Sequence, residues 1–273
     1  MDRNAPAYRL TAQNLSLGYE KNPIVVDLSL GIPAQAISVL VGPNGCGKST
    51  LLRGLARLLK PTHGVVYLDG NDISKLPTKG VAKRLGILPQ NPSTPAGLTV
   101  KELVAQGRYP YQNWLQQWSR EDETMVEQAM ETARIQEFAH RPIETLSGGQ
   151  QQRAWVATVL AQDTDILLLD EPTTYLDIAR QIELLDLLRQ LNQEQKRTIV
   201  MVLHDLNQAC RYADFLMAVK DGQLRACGSP QEVMTESIVR EVFDLECRIV
   251  PDPVTDTPMC VPVSPCPTSD RTK

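Results

Sequence analysis

The twelve residues VGPNGCGKSTLL, beginning at Val41, constrain the fold more tightly than any other stretch of the sequence. Gly42, Gly47, Lys48 and Ser49 have the spacing G-x-x-x-x-G-K-[ST], in which glycines let backbone N–H groups curl around phosphates. A helix starting directly after the glycines adds the positive end of its dipole, and the lysine adds a full charge. The flanks supply the context this chemistry needs. AISVLV before the loop is apolar and β-branched, the pattern of a buried strand, and KSTLLRGLARLL after it carries leucines at helical spacing. Strand, glycine loop and helix in that order predict an α/β nucleotide-binding core, whereas a glycine-rich turn that merely breaks the chain needs neither flank.

A phosphate loop alone fits kinases, GTPases and motor ATPases equally, so other motifs must discriminate. In ILLLDEP, the apolar residues Ile166 to Leu169 predict a buried strand delivering Asp170 to its end, where a carboxylate holds Mg²⁺ through its hydration shell. Glu171 follows at once, and a second acid there can polarise an attacking water, a contribution of ~10²–10⁴ in rate. A strand ending in solvated acids is the plain alternative; the proline that follows and the phosphate loop upstream favour the catalytic reading. LSGGQQQR, Leu146 through Arg153, combines a serine cap, two glycines and a helix start, which makes a second anion site. A chain with one phosphate loop has little need of another unless the second faces another molecule's nucleotide.

Composition removes some partners. A formal net charge of −4 gives no general attraction to nucleic acid, so none is expected to bind. No apolar run approaches the length of about 18 residues that spans a membrane, and MDRNAPAYRL lacks the charged and apolar regions of a secretion signal. The six cysteines, Cys46, Cys210, Cys227, Cys247, Cys260 and Cys266, form no C-x-x-C pair and read as free thiols of a reducing compartment. No cluster of histidine, cysteine and acids has ligand spacing, so the only metal expected is the Mg²⁺ of a nucleotide.

Along the chain there is no internal repeat. RLGILPQ reads as a strand ending at Pro89 and Gln90, and NPSTPAGLT then interrupts regular structure. Helical patterns follow in TVKELVAQGR and SREDETMVEQAMETARI. DILLLDEP, RTIVMVLHD and ADFLMAVKDGQL then alternate with helical stretches such as IARQIELLDLLRQLNQEQ, as in a parallel sheet. The expected division is a first part of the nucleotide core with a β subdomain and the phosphate loop (1–90), a helical insertion with LSGGQ (91–160), a second part of the core (161–250) and a loose proline-rich tail (251–273).

Taken together and in this order, the three motifs resemble those of the ABC ATPases, and the resemblance covers nearly the whole chain. It implies a P-loop NTPase ABC cassette of class α/β, with a mixed sheet core, an antiparallel β subdomain and a helical insertion. In that family two cassettes meet head to tail, each signature closing over the γ-phosphate held by the other copy's phosphate loop. Carried over by residue, the backbone of Gly42, Pro43, Asn44, Gly45, Cys46 and Gly47 cradles phosphates, Lys48 contacts the β- and γ-phosphates, Ser49 offers its hydroxyl to Mg²⁺ and Thr50 supports the phosphates. Gln90 matches the Q-loop glutamine that senses metal and water, Ser147, Gly148, Gly149 and Gln150 the signature, and Asp177 the D-loop. His204, in VLHDLN, matches the switch histidine that contacts γ-phosphate and helps hold Glu171 and water in line, and Tyr19 the aromatic that stacks on adenine. An ordinary strand tyrosine is the competing reading of Tyr19, and His63 and His140 read as surface or core residues. Cys46 stands where many relatives have serine; a helix N-terminus lowers a thiol's pKa, so the thiol reads as a liability toward alkylation or oxidation and not as redox control.

Three classes compete: a membrane transporter's ATPase, a soluble ABC protein acting on nucleic acid or ribosomes, and a P-loop kinase or GTPase. The soluble types usually carry two cassettes, coiled-coil insertions or zinc motifs, none of which this chain has, and kinases and GTPases lack LSGGQ. TTYLDI, HDLNQA, GPNGCGKSTLLR and GRYPYQ are similar to the ATPases of ferric siderophore, haem and cobalamin importers. The resemblance therefore implies ATP and Mg²⁺ as cofactors, membrane permease subunits and a second copy of the chain as partners, and an extracytoplasmic binding protein acting indirectly. It places the chain peripherally at the cytoplasmic face of the inner membrane, with a ferric siderophore or related iron chelate as cargo. Import of haem or cobalamin, or a soluble non-transport ATPase, is the alternative. The permease contact is expected just after Gln90, from Asn91 to Trp118, where Tyr109, Tyr111, Trp114 and Trp118 concentrate aromatics in a chain that is 5% aromatic. The competing reading packs them into the insertion's own core.

Overall fold

The structure, a computed structural model of the 273-residue chain, describes residues 8–20, 22–92, 97–112 and 118–265. It divides into two compact units, one formed by Met1–Gly70 with Val202–Lys273 and the other by Asn71–Met201. The first segment runs through β1 (Tyr8–Tyr19), β2 (Asn22–Pro33), β3 (Ile37–Val41), α1 (Lys48–Leu55) and β4 (His63–Leu68). The second unit carries β5 (Asn71–Asp72), α2 (Thr78–Ala82), β6 (Leu85–Leu88), α3 (Val100–Ala105), α4 (Arg120–Thr132), α5 (Gly148–Ala161), β7 (Ile166–Asp170) and α6 (Ile178–Gln195), and leads into β8 (Thr198–Val202). The last segment adds α7 (Leu206–Tyr212), β9 (Phe215–Lys220), β10 (Gln223–Gly228), α8 (Pro230–Val233), α9 (Glu236–Phe243), β11 (Leu245–Pro251) and β12 (Pro258–Pro265).

In the first unit β1 pairs antiparallel with β2 on one side and β4 on the other. Its buried face begins on even positions, Leu10 and Ala12, and continues on odd ones, Leu15 and Leu17. A register shift between Ala12 and Leu15, with Asn14 at φ 47, makes the change, since one extra residue in a strand of period two exchanges its faces. α1 lies close against this face: a Cβ on Gly54 would stand 2.4 Å from Leu17 Cδ1. A mixed sheet runs in the order β10-β9-β3, with β3 parallel to β9 and β10 antiparallel to it. All five residues of β3 are buried, as a strand covered on both faces requires.

The same unit ends in an antiparallel hairpin, β11 with β12, in register from Leu245 opposite Pro265 to Pro251 opposite Pro258. The loose tail expected from residue 251 is instead, as far as Pro265, the turn and second strand of this hairpin. Prolines 258, 262 and 265 are tolerated because β12 is an edge strand, paired only to β11 among the described residues, so a missing N–H breaks no second ladder.

In the second unit β6 runs parallel to β7, in the strand order β8-β7-β6. Every residue of β7 is buried, including the terminal Asp170. The helices start on capping boxes, Thr99 with Glu102 for α3, Ser119 with Asp122 for α4 and Ser147 with Gln150 for α5, each satisfying backbone donors that a helix start leaves open. Val100, Leu103, Val104, Val126, Met130, Ala154 and Ala157 form their common apolar interior. The α/β organisation read from the sequence, with an antiparallel sheet, a mixed sheet and helices, is the one found.

Candidate functional site

The phosphate loop belongs to the first unit and is shaped by close contacts. A Cβ on Gly42 would lie 2.1 Å from Val219 O, so no side chain fits there. Gly47, the N-cap of α1, has φ 104, a left-handed conformation that glycine adopts without penalty. The turn between β9 and β10 supports the loop, Gly222 N donating to Cys46 O at 3.0 Å. Lys48 is only 5% exposed, and its Nζ donates to Gly42 O at 2.8 Å and Pro43 O at 2.9 Å. The ammonium is thus held inside the curve of its own loop. Pro43 is half-buried, Asn44 and Gly45 are exposed, Ser49 is half-buried in the first turn of α1 and Thr50 is buried. A buried cation inside a backbone cradle at a helix start suits an oligophosphate.

Cys46 corrects an expectation. Its thiol is buried, and burial pushes its pKa up despite the charge of Lys48 and the backbone hydrogen bonds that pull it down. A helix N-terminus sensitises a thiol only where water reaches it, and here desolvation wins.

Two further expected residues lie in this unit. Tyr19 closes β1, 41% exposed, with its hydroxyl accepting from Arg53 Nη1 at 3.1 Å. Leu203 N donates to Leu40 O of β3 at 3.3 Å, which carries the chain from β8 to an exposed His204. Asp205 then caps α7, accepting from Asn207 N at 2.8 Å and Gln208 N at 2.9 Å.

The acids and the signature belong to the second unit. Asp170 is 3% exposed at the end of β7. Glu171 has φ 54, a left-handed backbone that an ordinary residue adopts only under constraint, at a cost of about 1–3 kcal/mol. Its turn supplies the constraint: Thr174 N donates to Glu171 O and Thr174 Oγ1 to Glu171 Oε2, each at 3.2 Å. Gln90 is exposed just beyond β6. Ser147, Gly148, Gly149 and Gln150 line one cavity of ≈ 420 Å³ together with Tyr175 and Asp177. The Asp177 carboxylate caps α6, accepting from Arg180 N at 3.0 Å. One residue that motif reading passed over joins these parts: Gln152 Nε2 donates to Pro172 O at 2.9 Å, tying α5 to the turn after Glu171.

The aromatic segment divides between its two readings. Tyr111 packs internally, its ring under the Arg108 guanidinium at 3.9 Å and its hydroxyl donating to Asp163 O at 3.3 Å. Tyr109, 68% exposed, and Trp118, 43% exposed, instead line a shallow groove of ≈ 530 Å³ with Glu102, Ala105, Gln106 and Gln112. Trp114 lies outside the described residues. His63 and His140 are both exposed. Among the described residues no helix is long and apolar enough to cross a membrane, and no group of three or more His, Cys, Asp or Glu could hold a metal ion.

The chain is similar to known proteins. The family described as "ABC transporter" matches residues 25–174. The achromobactin transport ATP-binding protein CbrD of Dickeya dadantii (strain 3937) is 56% identical, over 93% of this chain and 94% of its own. The ferric enterobactin transport ATP-binding protein FepC of Escherichia coli (strain K12) is 51% identical, over 93% of this chain and 94% of its own. Among solved structures, the dimeric post-hydrolysis state of the ATP-binding cassette MJ0796 bound to ADP and Pi superposes with a TM-score of 0.73 at 30% identity, covering 81% of this chain and 98% of that one. With its phosphate loop, acid-tipped strand and serine-capped signature helix matched over nearly its full length, the chain belongs to the ABC transporter family.

Proposed function

We propose that the chain is the ATP-hydrolysing subunit of a transporter that imports a ferric siderophore or a related iron chelate. The observation that carries the hydrolytic part is the pairing of two anion sites in one chain, the loop around Lys48 and the capped glycines after Ser147. A single chain's nucleotide fills the first; a second copy's nucleotide fills the second, so hydrolysis takes place in a head-to-tail dimer. The cargo reading rests on the relatives, whose names are those of siderophore systems.

In this reading the N–H groups of Gly42 to Gly47 hold the phosphates, Thr50 supports them and Lys48 turns its ammonium from the loop carbonyls to the β- and γ-phosphates. Tyr19 offers an exposed ring for adenine to stack on. Ser49, Gln90 and Asp170 are oxygen donors, the set a hard cation such as Mg²⁺ takes. When bound, Mg²⁺ neutralises charge on the phosphate oxygens. Glu171 accepts a proton from the attacking water, and His204 donates to a γ-phosphate oxygen from its exposed position before α7. Ser147, Gly148, Gly149 and Gln150, flanked by Asp177, close on the second copy's γ-phosphate. The groove at Tyr109 and Trp118 receives a short helix of the membrane permease. The chain works at the cytoplasmic face of the inner membrane, with an extracytoplasmic binding protein delivering cargo to the permease.

Replacing Glu171 by Gln tests the chemistry: phosphate release should fall by roughly 10²-fold or more while ATP binding persists. A wild-type rate in that variant removes Glu171 from the mechanism. For the cargo, a deletion strain should lose uptake of labelled ferric chelate and fail to grow under iron limitation until ferric salt is added. Intact chelate uptake beside a haem or cobalamin defect overturns the siderophore assignment.

A further inference from the structure

Asn207, in HDLNQA, has no part in the chemistry proposed above, yet both ends of its amide are engaged. Nδ2 donates to Cys260 O at 3.3 Å and Oδ1 accepts from Cys260 N at 2.8 Å. That pair of bonds is what a neighbouring strand would give, so a side chain of α7 satisfies β12 where the hairpin meets the helix. One turn further along, on the same face of α7, Arg211 Nη2 donates to Asp252 Oδ2 at 2.6 Å. Asp252 is 6% exposed and also closes the turn of the hairpin, accepting from Val254 N at 2.8 Å and Thr255 N at 3.2 Å. The seam is filled by three buried thiols, Cys210 of α7, Cys247 of β11 and Cys260 of β12, 1%, 5% and 5% exposed. Burial pushes the Cys210 and Cys260 thiols up to about 12, so they remain protonated and act as apolar filling.

The position of this seam matters because of what precedes α7. The helix has seven residues, too few to hold a place of its own without tertiary contacts. Its N-cap is Asp205, and the residue before the cap is His204. Leu203, on the other side of His204, is bonded to Leu40 of β3. His204 therefore lies between a strand end and a short helix that β3 holds at either end, through Leu203 and Asp214, and that the hairpin holds along its length. We propose that the β11–β12 hairpin is a clamp on α7 that sets the position of His204 for hydrolysis, with Asn207 and Arg211 as its positioning residues. The proposal rests on the functional reading given above and extends it to a segment outside the phosphate loop and the signature.

The test uses the full chain with Asn207→Leu, Asn207→Asp, Arg211→Ala and Arg211→Lys, and reads three quantities: kcat for phosphate release, Kd for ATP, and hydrogen exchange over residues 203–212. Asn207→Leu and Arg211→Ala should lower kcat roughly 10- to 100-fold, the scale at which a misplacement of about 1 Å is felt, with Kd unchanged because the phosphate loop is untouched. Exchange over α7 should rise in both. Arg211→Lys, which keeps the ion pair, should recover most of the rate, and Asn207→Asp, which keeps the acceptor and loses the donor, should fall between wild type and Asn207→Leu. Wild-type kcat in Asn207→Leu and Arg211→Ala, even with a lowered Tm, makes the hairpin a general stabiliser and overturns the clamp. So does a joint loss of kcat and ATP affinity. If Asn207→Leu does not fold, Arg211→Ala, which leaves both bonds to Cys260 in place, decides by the same criteria. An inactive wild-type chain removes the functional reading instead; the clamp is then judged by exchange, and unchanged protection of 203–212 in the variants overturns it.

Discussion

Arg108 and Asp122 form a deeply buried ion pair, 2% and 5% exposed. Arg108 Nε donates to Asp122 Oδ1 at 2.8 Å and its Nη1 to Ala161 O at 2.9 Å, while Asp122 Oδ2 accepts from Ser119 N at 3.0 Å and Ser119 Oγ at 2.7 Å. One carboxylate thus joins the aromatic segment to the start of α4. Burial alone would raise the Asp122 pKa, but the Arg108 and Ser119 hydrogen bonds together hold it below the usual carboxylate range. A carboxyl whose folded pKa is depressed stabilises the protein above its unfolded pKa of about 3.9, and that contribution is lost as pH falls through the folded value. Urea unfolding should therefore show the stability gap between wild type and Asp122→Asn narrowing below about pH 4. At neutral pH, Arg108→Ala should cost about 3–5 kcal/mol, because it leaves a buried carboxylate without its cation. A cost under about 1 kcal/mol would place the pair in the class of solvated surface bridges. Arg108 stands in GRYPYQ, but nothing in the sequence marks a partner fourteen positions away. Cys46 teaches the same limit: sequence places it at a helix start, but only packing tells that water is excluded.

Elements were more legible than their company. The phosphate loop, the acid-tipped β7 and the capped α5 each follow from local chemistry: fixed glycine spacing, an apolar run, and Ser147 three residues before Gln150. The C-terminal hairpin did not, because its prolines speak for broken structure while its partners, Asn207 of α7 and the ion pairs from α9 to Glu246 and Arg248, lie in earlier elements. Nor did the fate of the aromatics. Tyr109 and Tyr111 are two positions apart in a 3₁₀ turn, and which of them faces the interior is set by Arg108 rather than by any periodicity. That difference predicts their behaviour in the assembled transporter. Hydrogen exchange should show protection by the permease around Tyr109 and Trp118. Tyr109→Ala should weaken assembly without harming ATP hydrolysis by the isolated chain, while Tyr111→Ala should lower Tm instead. Protection confined to the C-terminal hairpin would move the docking surface elsewhere.

For the molecule as a whole, the proposed second anion site calls for a second copy. Light scattering of Glu171→Gln should show the mass of a dimer with MgATP and of a monomer without it, and a monomer at high concentration in both conditions would count against the head-to-tail arrangement. The pairing of β3 with β9 has a consequence of a different kind. Ser38 lies opposite Phe215, 177 positions later (215 minus 38), and the turn bonded to Cys46 is Gly222. Asn71–Met201 is one continuous stretch, so on the ribosome the second unit is finished while the first still waits for its other half. At ~5–20 residues per second the wait between Ser38 and Phe215 is roughly 10–35 s. Throughout that interval the nascent chain's glycine loop lacks Val219 against Gly42 and Gly222 against Cys46, and a chain cut short before β9 is a cassette that has lost that side of its nucleotide pocket.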